Sequence, residues 1–179
     1  MAVLIPTGAI KNLQQIEAVV AGPDDANRLF IIDGQFDSRV EVETHGGSST
    51  QKETFSVLVG PVFNKHQFSR AIATASFTKT GFTGAFTGAV GAGAGFGGAY
   101  WYILGVDADW DDESGQVELR IEATVEINGG QNNKIAIHGF AFHVTILAAV
   151  PAACGGKRLQ PRGEAWRVSQ RPLVDESSP

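Results

Sequence analysis

The chain has 179 residues, 43% of them hydrophobic, and a net charge of −5. About 150 residues bury roughly 70% of the surface that the unfolded chain exposes, so one domain can form here without a disulfide or metal staple. The acidic balance excludes a body built for nucleic acid, which needs clustered Lys and Arg. The single cysteine, Cys154, excludes an intrachain disulfide.

The N-terminus, Met1-Ala2-Val3-Leu4-Ile5-Pro6, has no basic stretch and no long apolar run, so it does not read as a secretory signal. The expected location is the cytoplasm or a released, assembled particle. Residues 9–20 predict a short helix. Ile10, Leu13, Ile16 and Val20 recur at three- and four-residue spacings, Thr7 is placed to cap, and Ala21-Gly22-Pro23 ends the pattern. The competing reading places a first edge strand at residues 2–5.

Strand signals follow. Residues 29–33 form a short apolar run closed by Asp33-Gly34. Residues 39–44 alternate, with Val40 and Val42 on one face and Arg39, Glu41 and Glu43 on the other. Phe55, Val57 and Val59 mark another inward face, with Pro61 close behind, and residues 72–78 form an Ala- and Thr-rich strand. Residues 100–110 are long and aromatic, and Asp111-Asp112-Glu113-Ser114-Gly115 is turn chemistry.

From Val117 to Ile127 every second residue is apolar and every other one polar, which means one face in a core and one in water. Residues 128–133 read as a polar loop. In residues 134–150, Ile135 and Ile137 share one parity while Phe140, Phe142, Val144 and Ile146 share the other. The change at His138-Gly139 predicts a β-bulge that turns both sets toward the core. The three segments together predict an antiparallel meander. The expected fold is all-β: an antiparallel β-sandwich of about seven or eight strands over residues 1–150, with a short N-terminal helix and an irregular C-terminal tail, residues 151–179.

That tail contains Pro151, Pro161, Pro172 and Pro179 and no sustained period, so it is expected to be unordered in isolation. Its five basic residues outnumber Glu164, Asp175 and Glu176, which leaves the rest of the chain more acidic than the whole. Inside the domain, residues 79–99 read as a glycine-rich loop, where Phe82-Thr83-Gly84-Ala85 repeats as Phe86-Thr87-Gly88-Ala89. Residues 80–106 carry no charge. A pliable loop that orders against another copy is the favoured reading. A membrane-spanning segment with small-xxx-small spacing competes with it. The formal GxGxxG at residues 93–98 lacks the preceding strand and following helix that phosphate binding requires.

Candidate sites are few. Asp107, Asp109 and Asp111 share one strand face and are the residues for a weak calcium site, although no EF-hand spacing is present. Two histidines, His138 and His143, lie five apart on one strand without a third ligand, a poor zinc pattern. No nucleophile elbow is present, and Cys154 reads as an incidental thiol, so no enzymatic activity and no organic cofactor are expected. Trp101, Tyr102 and Trp110 are the candidate binding aromatics, since Trp101 and Tyr102 have opposite parity and one must point away from the core. Phe82, Phe86, Phe96, Trp166 and Leu173 are the candidate self-association groups.

The expected function is therefore a non-enzymatic structural or binding protein that associates with other copies of itself, as in a virion, tail or surface assembly. A carbohydrate-binding, lectin-like module with a glycan as partner is the first alternative. Membrane insertion by residues 80–106 is the second.

Overall fold

The computed structural model describes residues 2–20, 27–84 and 97–149. They form β1 (Val3–Ile5), β2 (Ile10–Val20), β3 (Asn27–His45), β4 (Ser48–Val59), β5 (Phe68–Thr83), β6 (Gly98–Trp110), β7 (Val117–Asn128) and β8 (Gln131–Ala149). The chain is all-β, with two four-stranded sheets ordered β1-β4-β7-β6 and β2-β3-β8-β5. Among the described residues the only helical elements are 3-10 turns at Thr7–Ala9 and Lys65–Gln67.

The two sheets are linked by a folded ribbon. β3 pairs antiparallel with β8, and β4 with β7. Asn27↔Ala149 at one end, Ser48↔Asn128 beyond the fold and Val59↔Val117 at the other end all keep one register, with a local shift between Asp37 and Val40 that is recovered by His45. Thus β3–β4 and β7–β8 behave as two long strands laid side by side and bent over together. The bend falls at Gly46-Gly47 against Gly129-Gly130. Gly129 N–H donates to the Gly47 carbonyl at 3.0 Å, and the buried Thr44 hydroxyl donates to the Gly130 carbonyl at 2.7 Å. Gly46, Gly129 and Gly130 all have positive φ, which L side chains resist.

Alternation places the core. Val117, Leu119, Ile121, Ala123, Val125 and Ile127 are all fully buried. So are Ile135 and Ile137 on one side of His138-Gly139, and Phe140, Val144 and Ile146 on the other, and the register shifts at this point. The two sets of opposite parity therefore share one buried face, as the sequence pattern requires. Phe36 of β3 and Phe140 of β8 meet Phe55 of β4 at ring-centroid distances of 5.8 and 5.0 Å, so both sheets contribute to one hydrophobic cluster.

Four expectations need correction. Residues 10–20 are strand β2, not helix. They form the edge of their sheet beside β3, with an irregularity between Lys11 and Gln14 and Asn12 at φ 52°. Leu13, Ile16, Val19 and Val20 are exposed, so no core faces the stripe that a helix would have needed, and the backbone groups find ladder partners instead. The meander is broken as well. β6 pairs with β7, but β7 does not pair with β8, because the corner at Gly129-Gly130 carries the chain into the other sheet. The loop expected over residues 128–133 shrinks to those two glycines. Finally, the glycine-rich loop is shorter than residues 79–99, since β5 extends through Thr83 and β6 begins at Gly98. Residues 80–83 and 98–106 are strand, so no helix spans residues 80–106. Residues 85–96 and the tail, residues 151–179, lie outside the described residues.

Candidate functional site

β6 lies at the edge of its sheet, and its pleat separates the aromatic residues. Trp101 and Trp110 turn inward and pack against the core. The Trp101 indole N–H donates to the Ala136 carbonyl at 3.1 Å, and that of Trp110 to the Phe63 carbonyl at 3.2 Å. Tyr102 turns outward and is 40% exposed. It is joined by Tyr100, one pleat repeat away and 41% exposed, with the two rings within 9° of parallel and 6.1 Å between centroids. The Tyr100 ring lies back over Gly98, where a Cβ would stand 2.6–2.8 Å from its hydroxyl end. Glycine at 98 is what lets that ring rest along the outer face of the sheet.

The row continues toward the turn. Beyond the tyrosines come exposed Leu104 and then a hollow of about 320 Å³ lined by Thr54, Gly105, Val106, Asp107, Arg120 and Glu122. A second hollow of about 310 Å³ shares Asp107 and Arg120 and adds Asp109, Asp111 and Glu118. The charged groups are mostly engaged with one another. Arg120 pairs with Glu118 at 2.6 Å, which raises the guanidinium pKa further, and Lys52 pairs with Glu122 at 3.0 Å. Hydrogen bonds from Ser114 hold the Asp111 carboxyl below its ordinary range. Partial desolvation, then Glu126 and Tyr100, push the Tyr102 phenol up.

The three proposed calcium ligands border one hollow, but their carboxylates do not converge on a single point within it. Asp109 accepts from the Trp110 N–H at 2.7 Å, Asp111 caps Ser114 at 2.8 Å, and Asp107 lies opposite Arg120. Among the described residues no three His, Cys, Asp or Glu side chains come together to hold a metal ion. His143 is occupied otherwise, bonded to Asp33 at 2.8 Å and Thr145 at 3.1 Å. Phe82 packs against the core, while Phe86, Phe96, Trp166 and Leu173 lie outside the described residues.

The outer face of the β2-β3-β8-β5 sheet has a different character. Pairing sets Ile16, Ile31, Thr145 and Ile72 in one row across its four strands, and Ala18, Leu29, Leu147 and Arg70 in the next. Ile16 is 59% and Ile72 51% exposed. The sequence pattern does not reveal this face, because the spacing of Ile16 with Ile10, Leu13 and Val20 suits a helix. Its one available signal was Ile72, the large residue out of phase with Ala71, Ala73 and Ala75.

Among the described residues no helix is long and apolar enough to cross a membrane. The chain matches no family model, no curated protein and no solved structure.

Proposed function

We propose that the protein is a non-enzymatic structural protein, a two-layer β-sandwich that associates with copies of itself. The observation that carries this reading is the group of aliphatic side chains, Ile16, Ile31, Ile72, Leu29 and Leu147, that share two rows with Thr145, Ala18 and Arg70 on the outer face of the β2-β3-β8-β5 sheet. Each large aliphatic side chain left in water forgoes roughly 1.5–3 kcal/mol that burial would return. The opposite outer face is polar, with Glu118 paired to Arg120 and Glu122 to Lys52, and offers less aliphatic surface to a second copy. The apolar face suits a self-complementary contact. A twofold axis along the strands sets Ile16 against Ile72 of the second copy, and Asp33 against His143.

Sedimentation over a range of concentrations tests the reading. The wild-type protein is expected to run heavier as it is concentrated. Ile16→Glu combined with Ile72→Glu returns it to the monomer with its β-sheet circular dichroism unchanged. A wild-type chain that stays monomeric at high concentration removes the reading.

A further inference from the structure

We infer that the outer face of β6, from Tyr100 to Asp109, is a binding site for a neutral or aminated saccharide. This inference is independent of self-association, because it concerns the other sheet. Three observations converge on it.

First, Tyr100 and Tyr102 present two near-parallel exposed rings 6.1 Å apart, and Gly98 leaves room for the first to lie along the sheet. The C–H-lined face of a pyranose ring is apolar and weakly positive, and the electron-rich face of an aromatic ring is its natural complement. Second, the aromatic ledge leads directly into a hollow of about 320 Å³ whose Thr54, Asp107, Arg120 and Glu122 offer hydroxyl, carboxylate and guanidinium groups. A sugar hydroxyl both donates and accepts, so it can use all three, and bonds to charged partners are the stronger kind. Third, the charge selects among sugars. Asp107, Asp109, Glu118, Glu122 and Glu126 line or border the row against Arg120 and Lys52. A uronic or sialic acid carboxylate would meet repulsion there, whereas a neutral hexose or an amino sugar would not.

The test is an array of neutral and aminated oligosaccharides, with polygalacturonate and heparin as acidic probes, read with the full-length protein. At least one neutral or amino glycan class is expected to be retained, and the acidic probes are not. Tyr102→Ala and Tyr100→Ala each weaken retention roughly tenfold, the loss of one buried aromatic contact. Tyr102→Phe keeps the ring and binds within about threefold of wild type. Tyr102→Leu carries the same expected loss as alanine and serves if the alanine variant does not fold. The inference is overturned if no neutral or aminated glycan is retained, if the tyrosine variants bind as wild type does, or if the acidic probes are preferred.

Discussion

Phe55 of β4 and Phe140 of β8 meet with 5.0 Å between ring centroids at an interplanar angle of 50°, joining the two sheets at the centre of the core. Phe140 also stacks on Phe36 at 5.3 Å and takes the edge of Phe77 at 5.8 Å. One side chain thus ties its own strand to three others. Phe140→Ala is expected to cost about 3–5 kcal/mol, the transfer loss plus a cavity that the surrounding strands cannot collapse into. Urea unfolding measures it, and a loss below about 1 kcal/mol would show that the two layers do not depend on this contact.

The folded corner makes a second prediction. Gly130 has φ +82°, and a Cβ there would stand 2.1 Å from the Asn133 amide nitrogen. Asn133 is itself buried and lies close against both Gly84 and Gly130, so it has little freedom to yield. Gly47, across the same corner, would place a Cβ in open space. Gly130→Ala is therefore expected to cost more than about 1 kcal/mol, and Gly47→Ala to stay within about 0.5 kcal/mol. Equal midpoints for the two variants in thermal unfolding would refute the asymmetry.

Acid stability supplies a third. The hydrogen bond from Lys134, reinforced by Arg39, lowers the Glu41 carboxyl below its ordinary value of 4.5. A carboxyl depressed in the folded state stabilises it above the unfolded pKa, and that stabilisation is lost as pH falls through the folded pKa. Glu41→Gln should then show a shallower fall in stability below about pH 4.5 than wild type. The check is a pair of urea midpoints, one at neutral pH and one in acid, for each protein. Parallel losses would assign the acid limb to other groups.

Truncation probes the assembly reading from the other end of the chain. Among the described residues the buried hydrophobic core runs from Ile5 to Ala148, and both sheets end by Ala149, so removal of residues 151–179 is expected to leave the β-sheet circular dichroism intact. Ala149 ends β8 opposite Asn27, on the outer-face row with Val20, next to the row of Ala18, Leu29 and Leu147. Deletion is expected to lower the assembled mass in sedimentation. An unchanged mass would restrict the contact to the sheet face itself.

Much of this architecture can be read from local pattern, because burial on a strand obeys a period of two whatever the partner. The alternation of Val117–Asn128, the shift of phase at His138-Gly139 and the all-β class all rest on that period, and each is present in the fold. The same rule gave Trp101 and Tyr102 opposite faces, and so half of the candidate site. It could not say which ring pointed outward, nor that Gly98 would clear space for Tyr100.

Partners lay beyond it. Alternation tells a strand which face is apolar but not which strand lies beside it, and two glycines at 129–130 suit a hairpin as well as a corner. Only the assembled core, with Phe55 set against Phe140, makes the corner the arrangement that buries both faces. The N-terminal segment shows the same division. The spacing of Ile10, Leu13, Ile16 and Val20 suits a helix, but helical spacing stabilises only when a core receives the stripe. Here the open edge of β3 offers a hydrogen-bonding ladder instead, and Ile16 faces outward in line with Ile31 and Ile72.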